Sequence, residues 1–120
     1  PIILSGGFTE VIQPLAAELG IEHIEAVGLQ FDSEGEFAGF DTDAPTTRNG
    51  GKPEVIEQCI ARHPDAKTVM VADGVSDLAT AHLVDRFIGF GGIVERPAVK
   101  RDAKFFIHSF KELPSLLDGV

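Results

Sequence analysis

Apolar residues fall in short blocks whose spacing alternates between strand and helix periods. Residues 2–4, Ile2-Ile3-Leu4, read as a buried strand. Gly6-Gly7 then turns the chain into a helix over about 9–19, where Val11, Ile12, Leu15, Ala16 and Leu19 share one face and Gly20 supplies the stop. Residues 24–29 read as a strand, Asp32-Ser33-Glu34-Gly35 as a turn and 36–40 as a returning strand, which together make a hairpin. Residues 41–51 are a loop rich in Thr, Asp, Asn, Pro and Gly.

Pro53 opens the next helix, at a position that needs no amide hydrogen. Val55, Ile56, Cys59 and Ile60 form its stripe, and His63-Pro64 ends it. The continuous apolar run 68–72 has the pattern of a strand covered on both faces. A short helix is expected over about 76–83, a strand at 87–90 before Gly91-Gly92, and another at 105–107. Ser109-Phe110-Lys111-Glu112 matches a capping box for a last helix through Leu116 and Leu117. Strands alternating with helices predict an α/β domain: a three-layer, Rossmann-like parallel sheet with a small β-hairpin insertion. At 120 residues the chain is expected to form one domain, 1–120.

Charge narrows the partners. Ten basic residues against 19 acidic ones give a net charge of −9. A nucleic-acid binder would carry a basic stripe, and a polybasic membrane contact is equally out of keeping. An anionic substrate is still compatible, because a site needs only local positive potential. Cys59 is the only cysteine, so no internal disulfide can form. No apolar run approaches the roughly 20 residues of a membrane span. A cytoplasmic location is expected, or an organelle stroma if the source is a plant. The chain starts inside a strand with Pro1, as expected of a processed, truncated or engineered piece, or of a removed initiator methionine.

Four loops follow four candidate strands, and a parallel sheet would bring them to one edge. Ser5-Gly6-Gly7 pairs a hydroxyl with two residues whose amides can approach an anion; a plain strand-to-helix turn would look the same. Gly50-Gly51-Lys52 puts a point charge at a helix start, where a solvated lysine is the plainer reading. Asp73-Gly74-Val75-Ser76-Asp77 follows an apolar strand. A carboxylate there suits Mg²⁺, which takes one or two carboxylates with waters and phosphate oxygens. Asp77 is a candidate to hold Lys52 in position, although Ser76 and Asp77 also suit helix caps. In the fourth loop, Arg96 has the fork needed to grip a carboxylate, or it is a surface arginine. His23, His63, His82 and His108 lack metal-ligand spacing and are read as structural. Asp32, Glu34, Asp41 and Asp43 match a calcium loop only loosely.

In order, these loops resemble the haloacid dehalogenase-like phosphohydrolases, and within them the phosphoserine phosphatases of animals and plants. The resemblance is carried by Ser5-Gly6-Gly7-Phe8, the segment 35–41, Gly50-Gly51-Lys52, Asp73-Gly74-Val75-Ser76-Asp77, and the stretch from Phe87 through Gly92 to Arg96, Val99 and Lys100. It implies Mg²⁺-dependent hydrolysis of O-phospho-L-serine in serine biosynthesis. Ser5 and the amides of Gly6 and Gly7 would hold the phosphoryl group, and Lys52 would balance its charge. Asp73 would bind Mg²⁺, Asp77 would support the lysine or a metal-bound water, and Ser76 and Arg96 would contact substrate. Two departures stand out. Ala72 replaces the usual glycine, and the family's Asp-x-Asp-x-Thr motif, whose first aspartate attacks phosphorus, does not occur. The expected core is therefore incomplete, with little activity of its own and an open sheet edge that invites a homodimer. The alternatives are another small-phosphomonoester phosphatase, or a non-catalytic binding or self-association module.

Overall fold

A computed structural model describes all residues, Pro1–Val120, as two compact units, Pro1–Val55 and Ile56–Val120. The elements are β1 (Ile2–Phe8), α1 (Thr9–Glu18), β2 (His23–Val27), β3 (Leu29–Phe31), β4 (Phe37–Phe40), α2 (Gly51–Arg62), β5 (Val69–Ala72), α3 (Val75–Leu78), β6 (Arg86–Phe90), α4 (Pro97–Asp102), β7 (Phe105–Ile107) and α5 (Leu113–Leu117). Single 3-10 turns lie at Pro45–Thr47 and Phe110–Glu112.

In the first unit, β1 and β2 pair in parallel, and β3 and β4 form the antiparallel hairpin. The turn and the returning strand of the hairpin are where the sequence puts them, but the first arm is Leu29–Phe31 and not 24–29. The apolar run at 24–29 divides at Gly28. Its first part pairs with β1, and β3 begins only at Leu29. Both carboxylate oxygens of Glu10, at the start of α1, accept the Leu29 amide at 3.0 Å and fix that break. The helix presents Ala16 to the core, while Val11, Leu15 and Leu19 stay exposed. The apolar stripe is thus wider than the surface this unit covers.

In the second unit the sheet order is β5-β6-β7, all parallel. The sequence reads 68–72 as the strand covered on both faces. The structure gives that place to β6, where Phe87, Ile88 and Gly89 are buried, and leaves β5 at the sheet edge. Ile88, Val99 and Ile107 are almost wholly buried and form the centre of this unit. Each contributes about 1.5–3 kcal/mol of apolar burial. Gly89 leaves room for Phe106; a Cβ there would stand 2.6 Å from its ring. The helix expected over 76–83 stops at Leu78, because the Thr80 amide and hydroxyl both turn back on the Asp77 carbonyl, at 2.9 and 2.6 Å. The unexpected element is α4, which starts with Pro97 at its first position. The Ser109 capping box forms, but it caps the 3-10 turn Phe110–Glu112 and not α5, which follows from Leu113: the Ser109 hydroxyl accepts the Lys111 amide, and Glu112 accepts the Ser109 amide at 2.9 Å. Arg86 ties the carboxyl end down by donating to the Leu116 carbonyl and stacking over Phe105. No helix is long and apolar enough to cross a membrane.

Candidate functional site

In the first unit the chemistry gathers around the 3-10 turn at Pro45–Thr47. The β1–β2 register runs regularly through Leu4↔Glu25 and resumes at Phe8↔Val27, so Ser5, Gly6 and Gly7 face one residue, Ala26, across the ladder. That surplus makes a bulge in which Gly6 and Gly7 are exposed. The strand therefore runs on to Phe8 instead of turning at Gly6-Gly7. Within the bulge, the Gly7 amide donates to the Ser5 hydroxyl at 2.9 Å. Gly6 packs on the turn: a Cβ at this position would lie 3.6 Å from the Thr46 carbonyl oxygen.

On the other side of the same turn stands the start of α2. A Cβ on Gly51 would fall 1.6 Å from the Pro45 carbonyl oxygen, so no other residue fits there. Gly50, with φ +77°, supplies the left-handed step before it. Arg48 and Glu54 pair across the helix start. Lys52 follows in the first turn of α2, partly buried. Pro53 sits two residues inside the helix, in the turn where a missing amide hydrogen costs nothing. The Ser5–Gly7 and Gly50–Lys52 segments, some 45 residues apart in sequence, thus flank one turn.

In the second unit the loops after β5, β6 and β7 share the carboxyl edge of a parallel sheet, where open α/β folds place their ligands. Asp73 leaves β5 with its side chain 47% exposed, and Arg96 Nε approaches its Oδ2 at 3.6 Å. Two residues read from different loops are thereby brought together. Asp77 is buried, and its Oδ2 accepts the Gly74 amide at 3.2 Å, closing the first turn of α3. Ser76 is exposed on that turn.

Beside Arg96 lies a group that sequence reading missed. Glu95 binds Lys100 Nζ at 2.7 Å and His108 Nε2 at 2.6 Å. The Lys100 hydrogen bond, then that of His108, holds the Glu95 carboxyl below the usual glutamate range. These contacts join the loop after β6 to α4 and to the end of β7. Lys100 lies one helical turn and a residue beyond Glu95, the only sequence signal of the pair. His108 follows β7 and gave none. A separate cavity of about 390 Å³ lies at the opposite edge of the sheet, lined by Pro64, Lys67 and Asp85 among others, away from Asp73.

An α/β fold with these loop segments in this order defines a class. The chain belongs to the haloacid dehalogenase-like hydrolase family, whose profile matches residues 2–82. It is 40% identical over 113 residues to the human phosphoserine phosphatase, covering 92% of this chain and 50% of that protein. It is 38% identical over 120 residues to the chloroplastic phosphoserine phosphatase of Arabidopsis thaliana, covering 97% and 41%. The fold is similar to that of a phosphoserine phosphohydrolase-like protein from Francisella tularensis, with a TM-score of 0.75 and 27% identity, over 97% of this chain and 54% of the other. The resemblance read from the loops is borne out. The chain spans about half the length of the curated relatives it matches.

Proposed function

We propose that this chain carries the phosphate-, cation- and substrate-carboxylate-binding part of a phosphoserine phosphatase. The reaction would be Mg²⁺-dependent hydrolysis of O-phospho-L-serine to L-serine and phosphate, in serine biosynthesis, in the cytoplasm or a plant organelle stroma. The observation that carries this reading is the Asp73–Arg96 approach at 3.6 Å, a hard oxygen donor beside a carboxylate-binding fork at one sheet edge.

The donor set fits magnesium. Asp73 offers carboxylate oxygens, stands about half exposed, and leaves room for the waters that Mg²⁺ keeps. Bound there, the ion would neutralise charge on the phosphoryl oxygens. The chain's own residues do the rest. Ser5 and the Gly6 and Gly7 amides hold the phosphoryl group in the bulge of β1. For the Gly7 amide this means exchanging its present Ser5 contact for the anion. Lys52 adds a fixed positive charge, Arg96 and Ser76 hold the serine part, and Asp77 supports the loop that carries Asp73. No Asp-x-Asp-x-Thr nucleophile is present, so turnover by these 120 residues is expected to be minimal.

The test is calorimetric binding of O-phospho-L-serine with Mg²⁺, together with phosphate release. We expect binding without turnover above the Asp73→Asn background, and weakening by Arg96→Ala for O-phospho-L-serine but not for inorganic phosphate. Release at ordinary enzyme rates, about 1–10³ s⁻¹, would sink the partial-site reading. Equal weakening for both anions would favour another phosphomonoester. A second reading, self-association, is favoured by the exposed Val11 and Leu15 on one face of α1 and Leu19 at its end.

A further inference from the structure

Thr46 sits at the centre of the 3-10 turn that separates the two anion-holding segments of the first unit. Its carbonyl oxygen lies against Gly6, and the carbonyl of its neighbour Pro45 lies against Gly51. The turn packs on both β1 and β2. The side chain is the anomaly. Thr46 Oγ1 is shut off from solvent and has no hydrogen-bond partner. The next residue shows what the turn could have provided: the Thr47 hydroxyl donates to the Ala44 carbonyl at 2.7 Å. Two threonines in one turn thus differ, and the one beside Gly6 is the one left without a partner.

A buried hydroxyl without a partner costs about 1–3 kcal/mol of stability. Such costs recur where a group is held ready for a ligand. A hydroxyl can donate one hydrogen bond, and the ligand expected between Ser5–Gly7 and Lys52 is rich in acceptors. We propose that Thr46 is a further phosphate-binding residue, whose side chain turns out of its closed position on binding so that its hydroxyl donates to a phosphoryl oxygen held between the bulge of β1 and the start of α2. The inference rests on the reading of Ser5, Gly6, Gly7 and Lys52 as the phosphate site. It adds a donor from the turn between them.

The test uses the whole 120-residue chain with inorganic phosphate as probe. Dissociation constants come from calorimetry and melting temperatures from scanning calorimetry. Thr46→Val removes the hydroxyl and keeps the branched shape. Thr46→Ser keeps the hydroxyl. We expect Thr46→Val to weaken phosphate binding about ten-fold, as for a lost hydrogen bond to a charged group. It should also melt about 4 °C higher, because the unpartnered oxygen is gone. Thr46→Ser should bind phosphate within about two-fold of the parent, by the same reckoning. Unchanged phosphate affinity in Thr46→Val overturns the proposal. If Ser5→Ala or Lys52→Ala still weakens binding, the phosphate site itself stands. If none of the three variants changes binding, the reading beneath the proposal falls as well. Weaker binding with a lower melting temperature in Thr46→Val, matched by Thr46→Ser, marks Thr46 as a structural residue and also overturns the proposal.

Discussion

Arg96 and Asp73 are half-exposed charges 3.6 Å apart, and each serves the other until a ligand arrives. A cation at that distance opposes a second cation on the same carboxylate. In bulk water the repulsion is worth about 1 kcal/mol, and salt reduces it further. Arg96→Gln should therefore bind Mg²⁺ about five-fold more tightly at low ionic strength, with the gain fading as salt is added. Calorimetric titration of both forms measures it. A variant that binds Mg²⁺ no better than the parent would show that Arg96 does not act on Asp73. The two residues were legible one at a time, since a carboxylate after an apolar run and an arginine after Gly-Gly are local signals. Their approach was not legible, because it depends on β5 and β6 lying side by side. Thr46 was less legible still. It reads as one polar residue in a polar loop, and only packing shows that its hydroxyl lacks a partner.

Among the elements, those with a strong local signature were readable. The Ser109–Glu112 box and the strand at Phe105–Ile107 follow from short spacings, while the helix read as opening at Pro53 begins two residues earlier, at Gly51. Elements decided by neighbours were misplaced. β5 looks like a central strand because it is apolar throughout, yet β6 takes the centre between β5 and β7, with Val99 of α4 packed against Gly89. α4 escaped notice because Pro97 looks like a loop residue unless it is taken as a first helical position. This short helix is tied to the sheet through Glu95, and that tie has a pH signature. The Glu95 carboxyl is held below its ordinary value by Lys100 and then His108. A lowered folded value means stability fully present above the unfolded value, about 4.3, and lost as pH falls through the folded one. Thermal melts of Glu95→Gln and the parent should differ most near neutral pH and converge at more acidic pH. Asp85, held low by the Thr68 amide and Lys67, and Asp102, held low by Arg101, leave both forms with a shared acid decline. A constant gap between the two curves across this range would show that the tie carries no weight.

For the whole chain, the open question is what covers its apolar surface. In the first unit, Ile2, Phe8, Val11, Leu15, Leu19, Phe31, Phe37 and Phe40 are exposed, against Ala16, Val27 and Val55 buried. β1 has one strand neighbour, β2, and β5 has one, β6, so each has an edge that no strand pairs with. Free edges and contiguous apolar side chains favour pairing with another chain. A second copy could supply both a strand and an apolar face, and a homodimer through the sheet edge is the simplest closed form. The net charge of −9 acts against it, as each copy repels the other. Salt screens that repulsion and leaves apolar burial intact. Sedimentation velocity should therefore show a dimer fraction that grows with chain concentration and also with salt. Leu15→Lys removes an apolar group that is 59% exposed, so it should cost little folding stability. If the α1 face takes part beside the sheet edge, the variant should lower the dimer fraction. If the variant matches the parent while dimer persists, the sheet edge alone carries the contact. A chain that stays monomeric at every salt and protein concentration would exclude self-association as the means of covering this surface.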